Sequence, residues 1–577
     1  MALLLKKVER PRELKWYQAS SMLYGDWGTS KTYVLGLAFA IAGSASMFFL
    51  LAMSVLTAAI GFCYVIICKA YPDGGGVYSA VRHRSKTLAV IGALLLVADY
   101  VVTASLSSLA AFYYLGFSHP ELWAIFSLVM IGIINIVGPT KSGDVATLIA
   151  LSAVSCLVVL SIAVLPHIRD IQLTLPQGSF FSNWTKFVGI VLALSGVEAI
   201  ANVTGIMVEP VKKTARRAIL PVLLEVTVIS LILGAAMNSI PGLSGHTEDM
   251  IRVIGTHFVG SWFGRLIAVV LGLLLLSACN TAIMGLISIT FLMSKDKELP
   301  PIFSDLNRYG MPWFGLLVAV VTPILVLVLE HQVTHLAALY AIGVVGAITI
   351  NLGACCTNLK LNIKISERAM LGISALIMLI VEATIIYQKH NTVIFATTVL
   401  TVGLCARAVG QWVEQRRIAL PALELGINVL SLEEARDLMP LYKGTTLVAI
   451  KAVSAALIDE AALHARGKAE SVVYSLFVEE MPPGWAYPTE VEPSSEAVKI
   501  LNQAVQEFEK RGITSVPLWS LSDNAGMSIV KTAKDLNLDT VMIGSTKRGA
   551  LERMLRGEVL KTISEQLPQE KHLVICN

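Results

Sequence analysis

Tyr24-Gly25-Asp26-Trp27-Gly28-Thr29-Ser30-Lys31-Thr32-Tyr33 heads the first long apolar stretch of the chain. A charge at bilayer depth costs a few kcal/mol or more, so an intramembrane carboxylate normally faces a water-filled path or a partner. Asp26 stands between two glycines, which loosen the helix on either side. Freed backbone groups are tolerated at that depth only when buried in protein or lining a cavity. Asp26, Thr29, Ser30 and Tyr33 fall at i, i+3, i+4 and i+7. A helix that resumes at Asp26 therefore puts four oxygen-bearing side chains on one face. Lys31 lies five positions past Asp26 and points about 140° away around an ideal helix. The stretch reads as a cation site at the break of a discontinuous helix. The plainer reading makes Asp26 a cap for the N–H groups of Gly28 or Thr29.

The surrounding chain sets the class. Its 577 residues are 55% hydrophobic and 15% charged, with a mean hydropathy of +0.69. That is the composition of a polytopic membrane protein. Twelve apolar stretches reach roughly the twenty residues that span a bilayer: 20–43, 46–69, 88–116, 121–138, 145–165, 184–208, 217–240, 263–293, 312–330, 334–356, 369–387 and 392–412. The first is long, interrupted by Gly-Asp-Trp-Gly and without a small-residue cleavage motif, so it does not read as a cleavable signal.

The net charge of +4 says little, because basic residues are sorted by loop. Lys6, Lys7, Arg10, Arg12 and Lys15 precede the first span. Arg82 and Arg84, then Lys212, Lys213, Arg216 and Arg217, then Lys295 and Lys297, then Lys360, Lys364 and Arg368, follow even-numbered spans, and Arg416 and Arg417 follow the last. The alternate loops hold few, such as Arg169, Lys186, Arg252 and Lys389. By the positive-inside rule both termini are cytoplasmic, in the cell membrane. The eight cysteines are scattered with no CxxC pair, which gives neither a disulfide framework nor a zinc site. No nucleic-acid partner is indicated.

From residue 418 the pattern is that of a soluble domain. Thr446–Ile450 and Ser471–Val478 read as buried strands, Val516–Trp519 as a weaker one and Thr540–Ile543 as another. Helical patterns over Ser495–Arg511 and Ala525–Asn537 lie between them. Alternating strands and helices predict a parallel sheet covered on both faces. The expected division is a transporter domain over 1–417 and a cytoplasmic α/β domain over 418–577.

Within the membrane part, Ser195-Gly196-Val197-Glu198 repeats in span 6 the Gly-plus-carboxylate pattern of span 1. Two polar interruptions five spans apart predict an inverted repeat, spans 1–5 and 6–10, with the substrate between the broken helices. Span 3 supplies Asp99, Tyr100, Thr103 and Ser107, the last three on one face. Span 8 offers Ser277, Asn280 and Thr281, and span 10 offers Tyr340. Asp99 reads as lying at the inner part of its span and pairing with a loop arginine. Half-helix N-termini suit a carboxylate substrate when left free, but Asp26 would repel one. Asp26 and Glu198 among hydroxyls suit a monovalent cation better than Mg²⁺ or Ca²⁺, which favour more carboxylates or retained waters.

Tyr71-Pro72-Asp73-Gly74-Gly75-Gly76-Val77-Tyr78 with Arg82, Ser195–Ala199, Glu209-Pro210-Val211-Lys212-Lys213 and Leu276–Ala282 together resemble the amino acid–polyamine–organocation (APC) superfamily. That resemblance covers most of 15–412 and implies twelve transmembrane helices in a 5+5 inverted-repeat, LeuT-like fold. The opening stretch looks like the YGDIGTSPLY signature of KUP-type potassium uptake permeases, with departures at Trp27, Lys31 and Thr32. The layout, transporter then universal-stress-protein-like tail, is similar to the KimA-like branch. It implies proton-coupled potassium import and a homodimer joined through the tails. The family's cation-site pattern maps onto Asp26, Thr29, Tyr33, Tyr100, Thr103, Ser107, Ser195 (where Thr is more usual), Glu198 and Tyr340. Desolvation disfavours the charged form of a carboxylate, which suits Asp26 and Glu198 to proton coupling.

Stress-protein domains that bind ATP carry G-x2-G-x9-G-[ST], a turn that cradles phosphates. Gly544 and Gly557 keep the outer spacing, with Ser545 and Gly549 nearby. Lys547 replaces the middle glycine, Glu558 the hydroxyl residue, and Lys451 a usual aspartate. ATP, cyclic di-AMP as in the KimA-like branch, and a ligand-free dimerisation domain all stay open. No cofactor is required, and no covalent chemistry, hence no enzyme, is implied. The expectation is a potassium importer. The rivals are an amino-acid or polyamine permease of the same fold and a transporter-derived sensor.

Overall fold

A computed structural model describes the chain apart from residues 1–2, 9–11, 13, 137–141, 171–173, 308, 420–427, 432–443, 469–471, 482–492, 545–558 and 577. Every one of the twelve apolar stretches falls on helical structure. The first runs through α1 (Trp16–Leu23), a wide π turn at Tyr24–Gly28, and α2 (Lys31–Ala42). Then come α3 (Ser46–Ala70), α4 (Lys86–Leu115), α5 (Pro120–Asn135), α6 (Ser142–Val164) and α7 (Phe180–Gly189). The sixth stretch continues past α7 through short helical turns to Ile206, bent by 48°. It is followed by α8 (Val211–Ala236), α9 (Ser261–Lys295), α10 (Trp313–Leu329), α11 (Val333–Thr357), α12 (Ile365–Gln388) and α13 (His390–Ala419).

Among the described residues eight helices are long and apolar enough to cross a membrane, or nine with the bent pair taken as one. The run Trp16–Ala70 counts once, and α5 and α10 fall short of that length. α4 is buried along almost its whole length, its polar residues Asp99, Thr103, Ser105, Ser107 and Ser108 included, as an innermost helix is. The outer faces instead expose Leu122, Phe126, Leu148, Leu224, Leu329 and Leu376. Apolar surface on that scale is lipid-facing.

The wide turn in the first stretch has a local cause. Gly28 lacks a side chain, and the Tyr24 ring fills that space; a Cβ there would meet the ring at 2.6 Å. Thr29, Ser30 and Thr32 then fold their hydroxyls back onto the carbonyls of Asp26, Trp27 and Thr29, at 2.5, 2.8 and 2.6 Å. Such back-bonding satisfies carbonyls that a loosened helix leaves poorly paired.

The tail is a seven-stranded, wholly parallel sheet. Its strands are β1 (Leu3–Val8), β2 (Asn428–Ser431), β3 (Thr446–Ala449), β4 (Val472–Glu480), β5 (Thr514–Ser522), β6 (Thr540–Gly544) and β7 (His572–Cys576), in the order β2-β1-β5-β4-β3-β6-β7. Side chains alternate between two cores, as strand periodicity requires. Leu447, Tyr474, Leu518 and Val541 pack with the helix Ala525–Asp535. Val448, Val473, Trp519 and Met542 pack with the helices Ala455–Gly467 and Ser495–Lys510 on the other face. The expected weak strand at Val516–Trp519 is in fact nine residues, central and buried on both faces.

The tail's sheet draws on both ends of the chain. β1 lies between β5 and β2, with Leu5 opposite Leu518 and Leu4 opposite Val429. Just beyond, Leu14 N donates to Ile206 O and Val208 N to Leu14 O, each at 3.0 Å. Arg12 reaches the Asp73 carboxylate at 2.6 Å, Glu209 at 3.3 Å, and the carbonyls of Pro72 and Thr204 at 3.3 and 3.4 Å. A short amino-terminal strap therefore links the tail's sheet, through β1, to the carboxyl-terminal end of the bent sixth stretch, through Arg12 and Leu14. Lys295, at the end of α9, adds an ion pair to Glu479 of β4 at 2.9 Å.

Candidate cation site

The two interrupted stretches meet. Between Leu194 and Ala199 the sixth stretch turns through Gly196 at a φ of +88°. A Cβ on Gly196 would stand 2.5 Å from Trp27 N and 2.9 Å from the Asp26 carboxyl carbon. The turn that carries Glu198 is thus laid directly on the turn that carries Asp26.

Three carboxylates converge there. Asp26 is 3% exposed, Asp99 1% and Glu198 5%. Glu198 faces Asp99 and Asp26, and Asp99 lies beside Tyr340, Thr103 and Glu198. Thr103 donates to Asp99 Oδ1 at 3.4 Å. Tyr340 and Ser195 share a hydrogen bond between their hydroxyls. Tyr340 faces all three acids, and Tyr33 sits beside Thr29, Ser195, Asp26 and Asp99. Tyr100 faces the same acids and accepts from Asn202 Nδ2 at 3.1 Å. Asp26 Oδ1, both Glu198 oxygens and Ser107 Oγ are buried without a hydrogen-bond partner. Buried acceptors without partners are costly; the three carboxylate oxygens among them, on Asp26 and Glu198, leave the centre short of positive charge.

Asp26, Tyr33, Tyr100, Thr103, Ser195, Glu198 and Tyr340 are therefore gathered in one place. Thr29 is beside Tyr33, but its hydroxyl is turned onto Asp26 O. Ser107 lies two turns along α4 from Tyr100, buried and unpaired. The start of α2 is capped by no side chain, Ser30 being its N-cap, and Asp26 Oδ1 has no partner, in place of the expected cap from Asp26. Asp99 differs most from the reading of its sequence. It does not pair with a loop arginine but belongs to the acid cluster. The sequence offered it as a polar residue of span 3 but could not choose between the site and an arginine partner, because the helix packing that buries it is a property of the fold. Span 8's Asn280 accepts from Asn135 at 2.7 Å, and Thr281 bonds its own helix. Asn280 thus ties α9 to α5, while Thr281 serves its own helix. Lys31 points away from the acids, to Glu225 of α8 at 2.5 Å. All eight cysteines are free. In the tail, Gly544 ends β6, while Ser545, Gly549 and Gly557 lie outside the described residues.

Apolar helices of spanning length around a buried polar centre, with lipid-facing outer walls, define a multi-pass membrane transporter. The chain belongs to the amino acid permease family, whose profile matches residues 14–404. It also carries a universal stress protein domain over 445–570. It is 26% identical to the potassium transporter KimA of Bacillus subtilis over 372 residues, 59% of this chain and 60% of that protein. It is 28% identical over 155 residues to a fission-yeast (Schizosaccharomyces pombe) protein named as a probable amino-acid permease, 25% of this chain and 30% of that one. The chain thus spans less than two thirds of either relative. A solved universal stress protein from Archaeoglobus fulgidus aligns at 20% identity over 23% of this chain and 98% of its own, with a TM-score of 0.19.

Proposed function

We propose that the protein is a secondary transporter that imports potassium across the cytoplasmic membrane, coupled to protons, and is not an enzyme. One observation carries this reading. Asp26, Asp99 and Glu198 lie together with unpaired oxygens and tyrosine and serine or threonine hydroxyls, while the one lysine of the broken helix is neutralised elsewhere. Oxygen ligands of that kind replace a monovalent cation's hydration shell. Carboxylates crowded together in a buried centre give the proton a place to bind when the cation leaves. Asp26 and Glu198, with Asp99 added, take that role. Similarity to the Bacillus potassium transporter supports potassium as the cargo.

β1 belongs to the tail's sheet and not, as the sequence suggested, to the transporter unit. Apart from it, the unit over 1–417 has twelve spans in a 5+5 inverted repeat, with both termini cytoplasmic, and the 418–577 domain regulates or dimerises it. The strap supports the regulatory role. A strand order that mixes residues 3–8 with the tail passes a change in the sheet to Arg12, Leu14 and the carboxyl-terminal end of the sixth stretch. A nucleotide, ATP or cyclic di-AMP, is the ligand class proposed for the tail, and a second copy of the chain its partner.

A second reading, an amino-acid or polyamine permease, rests on the family profile and on the acid-rich centre, which would accept an organic amine equally well. Growth of a potassium-uptake-deficient bacterium on limiting K⁺ decides between them. Rescue by the wild type but by neither Asp26→Asn nor Glu198→Gln, at equal expression, supports potassium import. No rescue by well-expressed wild type, together with uptake of labelled polyamine, overturns it.

A further inference from the structure

On the face of the first broken helix that turns away from the acids, a second buried charged network bridges the break. Lys31, 1% exposed, opens α2. Its Nζ donates to both oxygens of Glu225, at 2.6 and 2.5 Å, and to Tyr24 OH at 3.2 Å. Tyr24 OH in turn donates to Glu225 Oε1 at 3.0 Å, so the three groups close a ring. The ammonium also lies 4.9 Å from the centre of the Tyr24 ring. Tyr24 begins the wide turn and Lys31 follows it, so the ring of contacts spans the loosened segment from one side to the other. Glu225 supplies the fixed point, on α8, with only 12% of its side chain exposed. The Gly28 gap that admits the Tyr24 ring is part of the same device.

Three physical consequences follow. A buried lysine is tolerated only when paired; here the partner is bidentate and the tyrosine adds a hydroxyl and a π face. The pair is neutral overall, so it leaves the negative centre around Asp26 intact. And the two glycines that soften the turn would let its geometry drift, whereas a closed ring across the turn fixes the separation of its ends.

We propose that Lys31, Tyr24 and Glu225 form a positioning clamp that holds the break of the first helix at the geometry in which Asp26 accepts a cation. The inference rests on the cation-transport reading. Lys31 acts through the backbone of the turn and never touches the cargo.

The test uses the full-length protein, purified and reconstituted, with Lys31→Met, Glu225→Gln, the double variant and Tyr24→Phe. Amide hydrogen exchange over residues 24–32 and concentration-dependent Rb⁺ uptake are measured on each, after size-exclusion profiles establish folding. Both single variants should raise exchange across 24–32 and raise the KM for Rb⁺ about tenfold, with a smaller change in maximal rate. The double variant should be no worse than the worse single, because the three groups act as one unit. Tyr24→Phe, which keeps volume and the ion pair, should give a smaller shift in the same direction. Unchanged exchange in folded variants, effects that multiply, or tighter Rb⁺ binding in Lys31→Met would each overturn the clamp. Absence of Rb⁺ uptake by wild type would sink the cation reading instead, and the exchange comparison would still decide the clamp.

Discussion

Gly196 and Asp26 are in direct contact. The glycine's α-carbon lies so close that an added methyl carbon would stand 2.9 Å from the aspartate's carboxyl carbon. The backbone there is also at a φ of +88°, which L-residues with a side chain avoid. Two demands, space and conformation, converge on one atom. Gly196→Ala should therefore push the two turns apart. We expect at least a tenfold loss of uptake, with a fall in folding stability of about 1–3 kcal/mol. Uptake at matched expression and thermal melting of the purified variant check this. Unaltered uptake would mean that the two turns are not packed as described.

Asp99 should matter as much as Glu198. It lies among Tyr340, Thr103 and Glu198. Asp99→Asn keeps the shape and removes the charge. Uptake should drop at least tenfold while the protein still purifies as a folded species. An Asp99→Asn variant with wild-type kinetics would restore the plainer view of Asp99 as a structural residue.

The Ser195–Tyr340 hydrogen bond ties the sixth stretch to α11 across the acid cluster. Losing one such bond is worth about 1 kcal/mol, or about fivefold in an equilibrium constant. Ser195→Ala and Tyr340→Phe should each raise the KM for the cation by that factor. The double variant should show less than the product, because both substitutions remove the same bond. Kinetics of Rb⁺ uptake in the three variants are the measurement.

Arg12 should be felt at the carboxyl-terminal end of the sixth stretch rather than at the acids. It is partly exposed, so its ion pairs contribute modestly, about 1 kcal/mol or less. Its contacts with the Pro72 and Thr204 carbonyls and the neighbouring Leu14 ladder make the effect local. Arg12→Ala should raise amide exchange over residues 204–209 and leave exchange in the core of α4 unchanged. Uniform exchange across both regions would argue against a strap.

The helical spans and the tail's central strands were legible because their signals are local. Apolar runs of spanning length mark the first, and short apolar runs between turn signals mark the second. Spacing pointed to some of the residues that the fold brings beside the acids, Asp26 with Tyr33 and Tyr100 with Thr103, but not to where the Thr29 and Ser30 hydroxyls turn. The rest depends on packing between distant segments. Leu3–Val8 is a six-residue apolar and basic run that reads as a membrane-flanking segment, and nothing local says that it joins a sheet more than 400 residues away. Asp99 reads as an interfacial acid until α11 is placed against it. Lys31 could be expected to point away from Asp26, but its partner Glu225 lies 194 positions along the chain. The wide turn also differs from the simple resumption of helix at Asp26, since Tyr24–Gly28 stays wound as a π turn. The hydroxyls of Thr29 and Ser30 consequently serve the backbone.

The most direct test is ion-driven proton movement in reconstituted vesicles. Wild-type protein is placed in proteoliposomes that contain a pH-sensitive dye, and K⁺ is added outside. The account predicts acidification of the interior with K⁺ and with Rb⁺, none with a polyamine or an amino acid, and none in Glu198→Gln. Acidification driven by a polyamine but not by K⁺, or K⁺-driven acidification unchanged in Glu198→Gln, would contradict it.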